Sequence, residues 1–333
     1  GMIRVGLLGT GRIGSLHAEN IASHRESTLS AISDINDEIA NKLAAQYGAI
    51  VKSADEIISD PNIDAVLIAT STVTHSDFIE RLAAAGKAIL CEKPVDLSLV
   101  RAKECLDKVS TAKNHIMVGF NRRFDSNFAQ LKKSLDNGEI GNRELLTITS
   151  FDPAPPPISY IKTSGGLYRD MMIHDFDLSN FIMGELPISI SAVGHSLVDP
   201  AIGVAGDVDT AVVTMSYADG KIAVIKNSRR AAYGYDQRIE ILGSEGLLQA
   251  ENILENSVVK SNNDGVISAK PKYFFLERYI GAFKAEWDAF LKSIRNHKPV
   301  PVTLQDGVAA LAMAEAAAQS QNTGQSIQLK ELL

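Results

Sequence analysis

A glycine-rich turn close to the N-terminus constrains the fold more than any other part of the chain. Residues 3–9 form a short apolar run, Gly9, Gly11 and Gly14 follow in the pattern Gly-x-Gly-x-x-Gly, and residues 15–22 have helical spacing. In dinucleotide-binding folds such glycines permit a tight turn, close approach to a pyrophosphate and close helix–strand packing. The alternative is a turn that merely happens to be rich in glycine. The residues expected to bind the nucleotide here are Gly9, Gly11, Arg12, Ile13 and Gly14.

Asp34 stands where the ribose-binding acid of such a fold belongs. Residues 28–33 are predicted as the second strand, and Asp34 follows directly, twenty residues past Gly14. A carboxylate at this position accepts hydrogen bonds from ribose hydroxyls and repels a 2′-phosphate. Ile35 comes next, where a phosphate-reading enzyme more often has Arg or Ser. These residues predict NAD rather than NADP as the cofactor; the alternative is that Asp34 is only a turn residue.

The alternation of strands and helices continues to about residue 120. Apolar strands are predicted at residues 63–69, 88–91 and 115–119, the last as the sixth strand, with helices between them. This pattern is typical of a doubly wound parallel sheet, so residues 2–120 are predicted to form an NAD-binding Rossmann domain. Ligands of such sheets bind beyond the carboxyl ends of the strands. That edge should carry the further cofactor-binding candidates Asp34, Ile35, Thr70, Ser71, His75, Glu92 and Lys93.

Lys93 is the residue of this edge with the clearest catalytic character. It follows a buried strand and precedes Pro94, which restricts the backbone of Lys93 to extended geometry. Its ammonium group can donate a hydrogen bond to a substrate hydroxyl and stabilise a developing alkoxide. The alternative is an ordinary lysine at the edge of a sheet.

After residue 120 the pattern changes to that of an α+β domain. A helix is predicted at residues 126–137, a strand at Arg143–Phe151, and an extended proline-rich loop at 153–157 that leads to a helix beginning at Gly165. Strands without helices between them then alternate, which predicts a largely antiparallel sheet. These strands are residues 188–198, 210–217, 222–229, 238–242 and 247–250. Two helices, at residues 276–296 and 305–321, close a second domain of residues 121–333, with the option that they pack back on the first domain.

Three polar residues in this second domain lie on one predicted helix face. Asp170, His174 and Asp177 are spaced i, i+4 and i+7 among apolar neighbours. This arrangement suits a base and its supporting carboxylates. Histidine suits the role of the base because its ordinary pKa of about 6.5 lies near working pH. The alternatives are a capping Asp170 with a structural His174, or a metal site, which is less favoured because no fourth ligand is indicated.

Composition narrows the possible partners. The net charge of −7 argues against nucleic acid or an anionic membrane as a partner. The apolar runs are shorter than a membrane span, and the chain enters a strand at once, so no signal peptide is expected. Cys91 and Cys105 form no paired motif, which suits a reducing cytoplasm and a packing role for both thiols.

Taken together, the motifs resemble those of the glucose–fructose oxidoreductase/inositol dehydrogenase/rhizopine-catabolism (Gfo/Idh/MocA) family over essentially the whole chain. The resemblance rests on the N-terminal glycine pattern, Glu92-Lys93-Pro94 and Asp170-x-x-x-His174. Within the family, residues 119–125, 173–177 and 233–236 are similar to those of bacterial myo-inositol 2-dehydrogenases. One departure is Thr70-Ser71, where the family commonly has Thr-Pro. Another is Ser150 or Phe151, where some inositol dehydrogenases have His.

The resemblance implies an NAD-dependent oxidation of a cyclic polyol, with myo-inositol converted to 2-keto-myo-inositol. His174 would be the acid/base, assisted by Lys93 and Asp170. The other ring hydroxyls would be contacted by Asn121, Arg122, Asp177 and Tyr235. A second domain with an open-faced sheet that mediates a homotetramer is also implied. The alternatives are another inositol isomer or an aldose as substrate, or a catalytically silent NAD-binding regulator.

Overall fold

The computed structural model describes residues 1–333 and separates into two compact units. Unit 1 comprises Gly1–Asn121 and Phe283–Leu311, and unit 2 comprises Arg122–Ala282 and Ala312–Leu333. Each unit contains its own sheet. The predicted fold class, a parallel Rossmann sheet followed by a mostly antiparallel α+β domain, is confirmed.

Unit 1 contains a six-stranded, wholly parallel sheet. Its strands are β1 (Ile3–Leu8), β2 (Ser27–Ser33), β3 (Ile50–Val51), β4 (Ala65–Ile68), β5 (Ala88–Cys91) and β6 (Ile116–Val118). They are ordered β3-β2-β1-β4-β5-β6, so the winding reverses between β1 and β4, the switch point at which such sheets bind ligands. Every residue of β4 is buried, as expected for a strand covered on both faces. The two-residue β3 is too short to give a sequence signal.

Helices of unit 1 begin and end where local capping allows. They are α1 (Arg12–Ser23), α2 (Asp37–Tyr47), α3 (Ala54–Ser59), α4 (His75–Ala84) and α5 (Leu99–Lys108). The side chain of Asn36 accepts a hydrogen bond from Ile39 N at the start of α2, and Gly48 ends that helix in the left-handed conformation. Ser53 and Glu56 form a capping box on α3.

The three glycines of the N-terminal turn have different surroundings. Gly9 has φ +99°, and a Cβ there would lie 2.3 Å from the carbonyl oxygen of Ala69. A Cβ on Gly14 would lie 2.3 Å from the carbonyl oxygen of Gly9, whereas a Cβ on Gly11 would meet nothing within 4 Å. Gly9 and Gly14 are therefore required by the packing of the protein, and Gly11 leaves open space next to the backbone.

Unit 2 contains a seven-stranded mixed sheet and a separate hairpin. The sheet strands are β7 (Arg143–Phe151), β8 (Ser189–His195), β9 (Thr210–Ser216), β10 (Ile222–Ser228), β11 (Asp236–Gly243) and β12 (Gly246–Ala250), and the hairpin is β13 (Val259–Asn262) with β14 (Gly265–Ser268). The seventh sheet strand, β15 (Ile327–Gln328), pairs with β8. The order is β12-β11-β7-β10-β9-β8-β15, with only β7 and β10 parallel. Gly220, at φ +92°, lies in the predicted turn between β9 and β10.

Helices of the remaining chain differ from the prediction at several points. They are α6 (Ser126–Asp136), α7 (Ile158–Ser164), α8 (Ile173–Met183), α9 (Pro200–Val204), α10 (Phe275–Arg278), α11 (Ile280–Arg295) and α12 (Leu304–Thr323). The short α7 was not predicted, because its Ser, Tyr, Ile and Thr residues have low helix propensity. The short α9, capped by Asp199, was also not predicted.

Two predicted helices are interrupted. The helix expected from Gly165 contains a π-helical segment, Tyr168–Met172, before α8 begins, so the assumption of regular α-helical spacing from Asp170 onward was wrong. The helix expected at residues 276–296 is broken at Tyr279. The Tyr279 hydroxyl donates a hydrogen bond to Gln237 at 3.0 Å, and its ring lies edge-on against Tyr235, so tertiary contacts of a buried ring determine the break.

None of the helices combines the length and the apolar character that are needed to cross a bilayer.

Both cysteines are buried in unit 1. Burial raises the pKa of Cys105 to about 12 and that of Cys91 well above its ordinary value. Both thiols therefore stay protonated, in agreement with the predicted packing role.

We predict that Gly14→Ala destabilises the protein by about 1–3 kcal/mol more than Gly11→Ala. A Cβ at Gly14 would displace backbone atoms, whereas a Cβ at Gly11 would meet nothing within 4 Å. The free energies of unfolding from urea titrations of the two variants and the wild type provide the comparison. Equal stability of the two variants would contradict the packing role assigned to Gly14.

Candidate active site

Asp34 is held in its ionised form at the carboxyl end of β2. One carboxylate oxygen accepts hydrogen bonds from the backbone N–H and the hydroxyl of Thr10, each at 2.6 Å. The other oxygen accepts from Asn36 N at 2.8 Å. Burial opposes ionisation, but the hydrogen bonds from Thr10, Asn36 and Ile35 outweigh it and lower the pKa of Asp34. Ile35 is fully exposed beside it.

The start of α1 has the features that a bound pyrophosphate requires. Gly11 is the N-cap residue and provides no side-chain hydrogen bond to the first turn, so the amide groups there are available to a ligand. Arg12 is exposed and Ile13 is half-buried at this point. With the open space at Gly11 and the carboxylate of Asp34, these residues fit the diphosphate and the ribose of a dinucleotide.

His75 joins the loops that follow β4 and β5. It is buried, and its ring nitrogens lie 2.7 Å from the carbonyl oxygen of Pro94 and 2.9 Å from that of Thr70. Both neighbouring oxygens are acceptors, so a neutral ring donates its single N–H to one of them while it packs against both. Thr70 is half-buried and Ser71 is exposed on the first of these loops.

Glu92 and Lys93 occupy the end of β5. Glu92 is buried, and its Oε1 lies 2.6 Å from His17 Nε2 on α1. Lys93 is half-buried, and its peptide bond to Pro94 is cis. The predicted cofactor residues thus lie at the carboxyl ends of β1, β2, β4 and β5, within unit 1.

Asp170 has well-defined partners in unit 2. Tyr160, on α7, donates a hydrogen bond to Asp170 Oδ1 at 2.7 Å. Arg229, which is only 2% exposed, places Nη2 3.6 Å from Asp170 Oδ2 and Nη1 3.9 Å from Asp152 Oδ2. His174 lies one turn beyond Asp170, in the first turn of α8, and is half-buried.

The pKa of Asp152 results from burial and from neighbouring charges that act in opposite directions. Burial raises its pKa to about 6, while Arg229 and Arg122 act in the opposite direction. Its proton affinity therefore falls in the range in which a side chain exchanges protons near neutral pH.

Asp177 pairs with a different arginine from Asp170. Arg123 Nε lies 2.8 Å from Asp177 Oδ2, and Arg123 Nη2 lies 2.6 Å from Asp177 Oδ1, which is a bidentate ion pair. Asp177 is 2% exposed. The three polar residues of the predicted helix face therefore divide: Asp170 belongs to the Tyr160 and Arg229 group, and Asp177 to Arg123.

Arg122 and Tyr235 belong to a buried network. Arg122 Nη1 donates to Asp175 Oδ1 at 3.0 Å, and Arg122 Nη2 donates to the hydroxyl of Tyr235 at 3.4 Å. Asn227 Nδ2 donates to the other oxygen of Asp175 at 2.9 Å. Burial raises the pKa of Asp175 to about 6, against the opposing effects of Arg122 and Asn227. Asn121, the residue before Arg122, is also buried.

Sequence reasoning missed several residues of these networks. They are Asp152, Tyr160, Asp175, Asn227 and Arg229. Asp175 lies between His174 and Asp177 and could have been noticed there. Asn227 and Arg229 come from the end of β10, and no spacing in the sequence links them to residues 170–177.

Comparison with known proteins agrees with this description. Residues 3–120 match the model of the oxidoreductase family with an NAD-binding Rossmann fold (GFO_IDH_MocA), and residues 132–329 match its C-terminal alpha/beta domain (GFO_IDH_MocA_C). The inositol 2-dehydrogenase of Rhizobium meliloti is 48% identical over 96% of both chains. The myo-inositol 2-dehydrogenase of Thermotoga maritima is 44% identical over 99% of this chain and 100% of its own.

A solved structure of a more distant relative contains ligands. Scyllo-inositol dehydrogenase of Lactobacillus casei, with bound NAD(H) and scyllo-inositol, is 30% identical and has a TM-score of 0.92. The similarity covers 99% of this chain and 100% of that chain. The matched family models, the near full-length relatives and the nucleotide-binding features of unit 1 lead to one conclusion: the chain belongs to the Gfo/Idh/MocA oxidoreductase family and is an NAD-dependent oxidoreductase.

Proposed function

We propose that this protein oxidises myo-inositol at C2 to 2-keto-myo-inositol with NAD as the hydride acceptor. The observation that carries the proposal is Asp170, held by Tyr160 and Arg229, one turn before His174. The two relatives at 48% and 44% identity, both named as inositol 2-dehydrogenases, support the choice of substrate. Scyllo-inositol is the second candidate, since the ligand-bound relative at 30% identity is named for it.

His174 is assigned the acid/base role. As a neutral imidazole it accepts the proton of the reacting hydroxyl while NAD, when bound, supplies the acceptor for the hydride. Asp170 orients the ring and stabilises the imidazolium that forms. Tyr160 and Arg229 in turn hold Asp170 in position, since Tyr160 donates a hydrogen bond to Oδ1 and Arg229 presents a positive charge to Oδ2.

Lys93 is assigned to the substrate oxygen. Its ammonium group donates a hydrogen bond to the reacting hydroxyl and stabilises negative charge on that oxygen as the proton leaves. Pro94 and the adjacent buried Glu92 restrict the backbone from which the side chain extends. Proton removal is thus assigned to His174, charge stabilisation to Lys93 and orientation of the imidazole to Asp170.

The remaining ring hydroxyls are assigned to Asn121, Arg122, Asp177 and Tyr235. Arg122 and Tyr235 are already oriented by their mutual contact and by Asp175. Asp177 acts together with Arg123, because both of its oxygens are engaged by that guanidinium group. A polyol offers several hydroxyl groups that both donate and accept, which suits such a set of fixed polar side chains.

We further propose that the protein is a homotetramer that works in the cytoplasm and associates through the sheet of unit 2. Ile222, Leu145, Leu242 and Leu247 are register neighbours across β10, β7, β11 and β12. Their exposed fractions lie between 38% and 47%, so they form a continuous apolar strip on one face. A strip of this kind is a natural contact for a second copy of the chain.

We predict that His174→Ala and Lys93→Ala each lower kcat with myo-inositol about 10²–10⁴-fold and leave the Kd for NAD within a factor of three, because each removes a group that acts on the reacting oxygen. NADH formation and NAD titration by fluorescence are the measurements. His195→Ala and Lys42→Ala, at exposed positions, are the matched controls and should behave as wild type. Near-wild-type turnover of either active-site variant would refute its assignment.

We predict that Asp34→Ser raises the Kd for NAD about tenfold and improves the relative use of NADP, since a charged acceptor for the ribose hydroxyls is lost together with its repulsion of a 2′-phosphate. Steady-state kinetics with both cofactors test this. Asp37→Ser, an exposed change in the first turn of α2, controls for a general loss of negative charge. An unchanged ratio of kcat/KM for NAD and NADP would exclude Asp34 from cofactor choice.

We predict that the double variant Ile222→Lys, Leu242→Lys forms smaller species than the wild type, because lysines cannot be buried without cost in an apolar contact. Light scattering coupled to size-exclusion chromatography measures the mass. Val73→Lys with Val100→Lys, at exposed positions in unit 1, is the control. A tetramer that survives the double change would show that another surface holds the copies together.

A further inference from the structure

Three titratable side chains meet in the interior of unit 1, and the proposed reaction assigns no proton transfer to any of them. His17 comes from α1, Glu92 follows β5, and Glu286 comes from α11. Their ligand atoms all lie within 4.8 Å of one another. The three residues are buried, with exposed fractions of 1%, 8% and 0%. The arrangement places two carboxyl groups beside one imidazole in a largely buried site.

Glu286 is the unusual member of this group. Both of its carboxylate oxygens are buried and have no hydrogen-bond partner. His17, the nearest potential cation, is already engaged, since its Nε2 lies 2.6 Å from Glu92 Oε1. A buried carboxylate without a counter-charge is strongly disfavoured, and such a group takes up a proton instead. Two neighbouring carboxyl groups in one site likewise disfavour double ionisation.

A bound metal ion explains this geometry less well than a proton. An ion such as Zn²⁺ lies about 2.0–2.2 Å from its oxygen and nitrogen ligands, which keeps neighbouring ligand atoms about 3 Å or more apart. The 2.6 Å separation of His17 Nε2 and Glu92 Oε1 is a hydrogen-bond distance. These two atoms therefore share a proton rather than an ion.

We propose that Glu286 is a neutral carboxylic acid in the folded protein and that, because it adds no second charge beside the hydrogen-bonded His17–Glu92 pair, this pair can position Lys93. The titratable groups that face Glu286 are Glu92, from β5, and His17, from α1. Burial first, and the charge of Glu92 second, raise the pKa of Glu286 well above its ordinary value.

The cluster can position Lys93 because Glu92 is its neighbour in the chain. The backbone N–H of Glu92 bonds to Ile68 O at 2.9 Å, and a Cβ on Gly119 would lie 3.1 Å from Glu92 Oε2. Glu92 is thus confined by β4, by residue 119 and by His17. A neutral Glu286 leaves the contact between Glu92 and His17 undisturbed, whereas a second negative charge within 4.8 Å would compete for it. This step rests on the proposed function of Lys93, whereas the protonation of Glu286 does not.

The first experiment compares the thermal stability of wild type and Glu286→Gln between pH 5 and pH 9. A pKa of Glu286 that is raised in the folded state contributes stability that is present at low pH and is lost as pH rises through the folded value. The amide of glutamine imitates the neutral acid and does not titrate. The Tm of the wild type should therefore fall relative to that of the variant as pH rises.

Infrared spectroscopy gives a direct second readout. The wild type should show the carbonyl stretch of a buried protonated carboxyl group at pH 7, and Glu286→Gln should lack it. Parallel Tm profiles of the two proteins, or no such band in the wild type, would overturn the protonation of Glu286. So would a stoichiometric divalent metal in the purified protein, measured by mass spectrometry, whose chelation destabilises the wild type but not the variant.

The positioning role is tested by turnover. As pH rises and Glu286 ionises, the kcat of the wild type should fall about tenfold relative to that of Glu286→Gln, which cannot acquire a charge beside Glu92, with the Kd for NAD unchanged. A kcat ratio of the two proteins that stays constant with pH, with Lys93→Ala inactive, would overturn the positioning role alone. Full turnover of Lys93→Ala would instead refute the proposed function of Lys93, and the stability experiment would still decide the state of Glu286.

Discussion

The nucleotide-binding half of this protein depends on one close backbone contact. The position of a Cβ on Gly14 lies 2.3 Å from the carbonyl oxygen of Gly9, so α1 can begin where it does only because residue 14 has no side chain. The start of α1 lies at the switch between β1 and β4. The same contact places the uncapped amides of α1 and the open space at Gly11 near Asp34, which Thr10 holds from within the turn. A steric constraint on the backbone thereby determines where the anion-binding groups lie.

Unit 2 is organised by buried charge rather than by close backbone packing. Arg122 pairs with Asp175, Arg123 with Asp177, and Arg229 faces Asp152 and Asp170. Buried ion pairs of this kind add little to stability compared with apolar residues of the same size, but the loss of one partner is costly. In this protein the ion pairs hold the carboxylates in fixed positions. Arg123 and Arg229 fix carboxylates that are themselves assigned to substrate or catalysis. Arg122 fixes Asp175, the neighbour of His174 in the chain.

The sequence predicts the parts of the fold and the site that depend on local chemistry. The position of Asp34 as a candidate follows by counting from Gly14, and the strand ends of unit 1 follow from apolar runs with a regular alternation. The π-helical segment before α8 could not be predicted, because its residues also fit a regular helix and the change of hydrogen bonding depends on tertiary packing. Arg229 and Asp152 could not be assigned to the site for a related reason. They reach Asp170 only because β10 and β7 are parallel neighbours, which no local pattern reveals.

The imidazole of His75 has a mechanical consequence for the cofactor edge. The loops after β4 and β5 are separate connections in the chain, and the ring nitrogens of His75 lie within 2.9 Å of the carbonyl oxygens of Thr70 and Pro94, one on each loop. Because this buried ring lies between the two carbonyl oxygens, the loop after β4 and the Lys93–Pro94 segment cannot approach each other more closely without displacing it. The imidazole therefore acts as a spacer between the two loops.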